Sequence, residues 1–130
     1  MAVTHSTAAR NAATDAVTAL IGATGRLAFR ISPSTVAAPG ATAALLTLST
    51  TAFPAAVTGT ATANAITSDT NATGNASAVA FATLQTSGGT VVIHCAVAAS
   101  GSDINMTNGL TVAAGDTVSC SSLTYTALNA

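Results

Sequence analysis

Hydrophobic positions change their spacing near Gly25, and that change divides the chain into two parts. Before it, Ala9, Ala12, Ala13, Ala16, Val17, Leu20 and Ile21 recur at the i, i+3, i+4, i+7 spacing of one helix face. Arg10, Asn11, Thr14, Asp15 and Thr18 fall on the opposite side. Thr4, Ser6 and Thr7 are candidate N-caps, since a side-chain oxygen there can accept a free backbone N–H, and Gly22 with Gly25 supplies the stop. The pattern predicts a helix over 4–22, with an alanine-rich stripe turned inward and a bulkier plug at Val17, Leu20 and Ile21.

After Gly25 the period falls to two. Leu27, Phe29 and Ile31 share one face of a strand, and Arg26, Ala28 and Arg30 share the other. Ser32 to Gly40, holding Pro33 and Pro39, reads as a loop. Ala44, Leu46 and Leu48 mark a second strand that ends near Phe53-Pro54. The alternating Thr/Ala tract over 55–65 predicts a weakly buried strand, and Ile66 to Asn75 an exposed loop. Val79, Phe81 and Thr83 alternate on one face with Leu84 on the other. Ser87-Gly88-Gly89 then turns the chain into Thr90 to Val97, whose β-branched run is the strongest strand signal present. Ser100 to Asn105 reads as a loop, Leu110 to Val112 as a short strand, and Gly115-Asp116 as a turn. A last strand over 117–126 switches face between Cys120 and Leu123, which predicts a bulge at Ser121-Ser122.

A single helix followed by six or seven strands with short turns has no crossovers for a parallel sheet. The expectation is one mainly β domain over 1–130, with the helix over 4–22 and a β-domain over 26–126. Its natural closure is an antiparallel β-sandwich or a jelly-roll-like barrel.

Composition changes the picture of the surface. Hydrophobic residues make up 49% of the chain, but alanine supplies half of them, leaving 29 Val, Leu, Ile, Met and Phe to build a core. Charged residues are 5%, against roughly a quarter in ordinary globular proteins. Lysine and glutamate are absent, and the net charge is -1. No basic footprint for nucleic acid exists, and no run approaches the roughly 18 apolar residues of a membrane span. The opening Met1-Ala2-Val3-Thr4-His5-Ser6 lacks the basic start and apolar segment of a signal peptide, so synthesis in a cytoplasm is expected. The sequons at Asn71, Asn75 and Asn105 are accordingly read as unmodified, and Cys95 and Cys120 as two core thiols on neighbouring strands.

Chemistry is sparse. Cys95 or Cys120, His5 or His94 and one of four aspartates would have to form a catalytic set, yet His94 and Cys95 are adjacent in a strand and point to opposite faces. His5 lies just before the helix and reads as solvated or at a contact. Asp15, Asp69, Asp103 and Asp116 lie far apart along the chain, which suits turn and cap chemistry rather than a metal loop. Gly22-Ala23-Thr24-Gly25 lacks the lysine of a phosphate loop. The expectation is no catalytic residue, cofactor, metal or small-molecule substrate. Arg26 and Arg30 are the one directional charged feature. Four residues apart in a strand, they project from one face about 13 Å apart. They read either as a solvated pair, with Asp15 a candidate partner, or as a contact to acidic groups on another protein.

Several phrases resemble a family of small tailed-phage virion proteins of the capsid decoration, or cement, type. Thr4-His5-Ser6-Thr7, Arg10-Asn11-Ala12 and Asp15-Ala16-Val17 look like that family's N-terminal helix. Ala65-Ile66-Thr67-Ser68-Asp69-Thr70, Ser100-Gly101-Ser102-Asp103-Ile104-Asn105 and Gly115-Asp116-Thr117-Val118-Ser119 through Tyr125 resemble its later blocks. The resemblance implies a homo-oligomeric structural protein that binds the major capsid protein on the capsid surface, with no catalytic residues. A tail or fibre component is the alternative, and an ice-binding Thr/Ala surface protein ranks behind it because the Thr-X-Thr ladder is irregular.

Overall fold

The computed structural model describes residues 3–128. Ser6 is the N-cap that is used: its Oγ accepts the Ala9 N–H at 3.2 Å, and α1 runs Thr7–Ile21 to Gly22. Six strands follow over the next hundred residues, at Arg26–Ile31 (β1), Thr42–Thr47 (β2), Thr60–Thr62 (β3), Val79–Gln85 (β4), Val91–Ala98 (β5) and Ile104–Asn105 (β6). Thr124–Thr126 (β7) comes last. Five of them form one sheet in the order β2-β1-β4-β5-β6, curled as a half-barrel, and β3 pairs with β7 beside it. The fold is mainly β with one N-terminal helix, as expected. All pairings are antiparallel except β5 with β6.

The period-two segments became strands where they were expected. Leu27, Phe29, Ala44, Leu46, Ala82, Leu84 and Val97 fill the concave side, joined by Ile21 from the helix and Leu48 beyond β2. Thr86 and Thr90 close the β4–β5 hairpin, with Thr86 N–H donating to Thr90 C=O at 2.9 Å. Three slips interrupt the alternation, at Phe29/Arg30 against β2, at Arg30/Ile31 against β4 and at Leu84/Gln85 against β5, and the second has the largest consequence. The register slips between Arg30 and Ile31, so Ile31 sits opposite Val79 rather than Ala80. That extra residue turns Val79 into the core at 1% exposure, off the face it was expected to share with Phe81 and Thr83.

The poorly contrasted segments departed further from expectation. Of the tract over 55–65 only Thr60–Thr62 is strand, and of 117–126 only Thr124–Thr126. Leu110 to Val112 is irregular, its carbonyls accepting from Val79 and Asn75, while the supposed loop before Met106 contributes β6. The 67–74 segment is a loop, and it seals the outer edge of β2. Thr67 exchanges two backbone hydrogen bonds with Thr47, Asp69 Oδ2 accepts the Leu45 N–H at 2.9 Å, and Gly74 donates to Ala43 C=O at 2.8 Å. Covered edges suppress unwanted strand pairing.

The helix is rotated from the expected orientation: the Ile21 plug goes inward as expected and Ala13 and Val17 are half-buried, but most of the alanine stripe faces outward. Thr14, Thr18 and Ile21 are buried, whereas Ala9, Ala12, Ala16 and Ala19 are exposed and Leu20 is 65% exposed. The cause is what the helix packs on. Thr14 Oγ1 donates to Gly59 C=O at 2.6 Å and accepts from Ala127 N–H at 3.1 Å. Asn11 Oδ1 takes Gly59 N–H at 2.7 Å, and Asp15 Oδ1 takes Ala56 N–H at 2.8 Å. Irregular backbone buried against a helix needs hydrogen-bond partners, and alanine has none to give.

Candidate interaction surface

The convex face of the sheet is where the sequence placed its one charged feature. Arg26 and Arg30 do share this face, but they are not a solvated pair. Arg30 is 9% exposed. Its Nε donates to Thr83 Oγ1 at 2.9 Å and its Nη2 to Gln85 Oε1 at 2.8 Å. Its Nη1 donates to Gly40 C=O at 2.7 Å and to Thr42 Oγ1 at 3.2 Å. Thr83 Oγ1 in turn donates to Gln85 Oε1 at 2.9 Å. Four neutral acceptors therefore hold a buried cation, and burial pulls the guanidinium below its ordinary pKa. Arg26 is half-buried, with Nη1 on Thr47 Oγ1 at 2.9 Å and a buried Nε that has no partner among the described residues. Asp15 is not near this pair's bonding, being committed to Ala56.

The Ser32 to Gly40 loop folds over this face. Ser34, 8% exposed, contacts His94 Nε2 at 3.0 Å through Oγ and accepts the Gly40 N–H at 3.0 Å through the same atom. His94 lies opposite Thr83 in the sheet, and its ring centroid is 5.0 Å from that of Phe81. Gly40 must be glycine here, because a Cβ would collide with Ile31 C=O and stand 2.6 Å from Pro33 C=O. A Ser–His contact is one component of acyl-transfer chemistry. In this case the hydroxyl is buried and tied to a loop amide, and its plain role is to fasten the loop across β1, β4 and β5. Sequence reasoning did not find Ser34; Thr42, Thr83 and Gln85 standing opposite even-numbered β1 residues was the available signal.

The four aspartates act as clips for backbone. Besides Asp15 on Ala56, Asp69 also caps Asn71 N–H, Asp103 Oδ2 takes Ala96 N–H at 3.0 Å, and Asp116 Oδ2 takes Ala113 N–H at 2.9 Å. Local turn bonds account for Asp116 and for Asp69 on Asn71, Asp103 ties its loop back to β5, and Asp15 on Ala56 and Asp69 on Leu45 are long-range ties. The thiols are half-buried against the core. Cys95 sits on β5 with Sγ 3.7 Å from Ala82 C=O, and Cys120 lies in irregular chain, not on a neighbouring strand, with Sγ 3.4 Å from Ser122 C=O. Burial, with the charge of Asp103 adding to it, pushes the Cys95 pKa up to about 11, and burial raises that of Cys120. Both are thus held as thiols at neutral pH, the poorly nucleophilic form.

What is left facing outward is nearly neutral. None of the three arginines is exposed, and of the four aspartates the two that are exposed, Asp103 and Asp116, are already hydrogen-bonded. Val3, Leu20, Val36 and Val57 are more than half exposed. A cleft of about 600 Å³ opens between Phe29 and the chain from Asp103 to Leu123, and a shallower one of about 330 Å³ lies between the helix and Thr50 to Ala55. Among the described residues no group of three His, Cys, Asp or Glu could hold a metal, and no helix is long and apolar enough to cross a membrane. Comparison with family models, characterised proteins and solved structures finds no match.

Proposed function

We propose that this chain is a structural virion protein that binds the outside of a tailed-phage capsid and stabilises the shell by bridging major capsid subunits. The observation that carries this reading is the disposition of charge. Every arginine is at least half-buried and every aspartate holds a backbone N–H. Most of the outside is left to Thr, Ser, Asn, Ala and Gly, with a few exposed apolar side chains such as Leu20 and Val57. Removing an unpaired charge from water costs several kcal/mol, whereas small neutral groups cost far less once hydrogen-bonded. Such a surface is easily desolvated over a wide contact, and roughly 1,600 Å² per standard interface, repeated over a shell, gives large collective stability. The resemblance of the N-terminal and later phrases to capsid decoration proteins points the same way. The copies form a homo-oligomer on the shell, and with its donors already committed Arg30 supports the contact from within while Arg26 stands nearer the partner.

The test is reconstitution. Purified protein is added to capsids that lack it, and bound protein is measured by co-sedimentation across salt concentrations, with electron microscopy locating the added density. Saturable binding at sites between major capsid subunits, little changed by salt, is expected. Density on tails or fibres alone would overturn the capsid assignment, and binding that disappears at high salt would overturn the neutral interface.

A further inference from the structure

We propose that Asn108 is a built-in site of spontaneous covalent modification, at which the folded protein converts an amide to a carboxylate. The proposal is independent of the capsid reading. It starts from local chemistry: Asn108-Gly109 is the only Asn-Gly pair in the chain. Thr107 and Asn108 form a turn, and Thr107, Asn108 and Gly109 are all exposed. Gly109 has φ +110, and apart from its chain neighbours nothing lies within 4 Å of where a Cβ would stand. The following residue's backbone nitrogen must approach the asparagine side chain, and a residue without Cβ leaves that approach open.

The other described asparagines lack this combination. Asn11 Oδ1 is held by Gly59 N–H at 2.7 Å, and Asn64 Nδ2 donates to Thr51 C=O at 2.7 Å. Asn75 Oδ1 accepts from Ser77 at 2.9 Å, and Asn105 Oδ1 from Ser102 at 3.0 Å. Asn71 is followed by Ala72, which is 2% exposed and has its N–H bonded to Asp116 C=O at 3.0 Å. That nitrogen is buried and already occupied. Only at position 108 is a carboxamide without a hydrogen bond to described residues joined to an unhindered glycine.

The reaction balances with water alone. The Gly109 nitrogen loses its proton to solvent base and bonds to Asn108 Cγ. The Cγ–Nδ2 bond breaks, and ammonia leaves with a proton from solvent. Water then opens the cyclic imide at either carbonyl, leaving an aspartyl or an isoaspartyl residue. Asn108 and Gly109 line the same cleft as Asp103 and Asp116, so the product adds a third carboxylate there. On a surface this poor in charge, one new carboxylate is a large relative change.

The full chain, incubated at mildly alkaline pH and mapped by peptide mass and isoaspartate detection over time, tests this. One acidic species should form first, with its amide-to-acid mass change at position 108 and an isoaspartyl component. Asn108→Gln keeps the amide but lengthens the arm, and should abolish that species. Gly109→Ala should slow it roughly tenfold, because a Cβ hinders the approach, and if that variant folds poorly the Gln variant still decides. Conversion at Asn71 or Asn64 as fast as at Asn108 would overturn the proposal. So would a folded chain that stays intact at 108 while the denatured chain converts.

Discussion

The two faces of the five-stranded sheet are closed off from water by opposite means. The concave side is covered in the ordinary way, by Leu27, Phe29, Leu46, Leu84 and Val97 packing on Ile21 and Leu48. On the convex side the centre is just as dry, but what lies there is Arg30, Thr83 and Gln85 under the Ser32 to Gly40 loop. The apolar side tolerates imperfect fit at a modest cost for each lost contact. The polar side works only while each donor meets its acceptor, since a buried group left unpaired costs the full desolvation penalty. The chain has few charges, and it has used them as internal fasteners. That allocation keeps every arginine at least half-buried and leaves Asp103 and Asp116 as the exposed aspartates on an otherwise nearly neutral outside.

Replacing Arg30 is the harshest way to break this comparison. Arg30→Met keeps the stem but removes four donated bonds, leaving Gly40 C=O without its cation and Thr83 and Gln85 only their bond to each other, and should cost about 3 kcal/mol or more in denaturant unfolding. That is comparable to Leu46→Ala on the concave side, about 2–5 kcal/mol. A loss under about 1 kcal/mol would mean the convex cluster behaves as an ordinary surface pair.

Next in size is the helix. Thr14→Ala removes one buried and one partly buried hydrogen bond and should cost about 1–3 kcal/mol, while Ala16→Ser on the exposed face should change stability by no more than about 0.5 kcal/mol. The opposite ranking would restore the alanine-inward orientation. The smallest effect is pH-dependent. With its folded pKa near 11 against an ordinary value of 9.0, Cys95 stays protonated after the unfolded thiol has ionised. The unfolded state then holds fewer protons, so stability falls as pH rises from about 9 to about 11 and is unaffected by this thiol below that range. Cys95→Ser should flatten that decline, and alkylation of Cys95 in native buffer should accelerate only as pH approaches 11. Rapid alkylation at neutral pH would contradict the burial.

The same contrast explains what was legible in the sequence. β1 and β4 could be read because bulky residues alternate there with small or polar ones, and β5 because a β-branched run follows the Ser87-Gly88-Gly89 turn. Residues 55–65 and 110–122 are mostly Thr, Ala, Ser and Gly, which differ too little in bulk to mark a face. Their paths are set by distant bonds, such as Val118 to Asp69 and Asn75 to Val112. The helix misled for a related reason. Periodicity identified its two faces, but the rule that alanine goes inside failed because the neighbour is irregular backbone in need of Asn11, Thr14 and Asp15. Arg30 was placed on the right face by strand alternation, yet its burial depended on a loop returning over it, which no local pattern records.

The central claim is that this neutral outer surface strengthens a shell. Particles with and without the protein should be heated while genome release is followed, at low and at high salt. Exposed charges are screened beyond about 10 Å at 0.1 M salt, so a charge-driven contact would weaken between the two conditions. The account predicts that protein-bearing particles release their genomes at higher temperature and that the difference is nearly independent of salt. Equal release temperatures for both kinds of particle would contradict it.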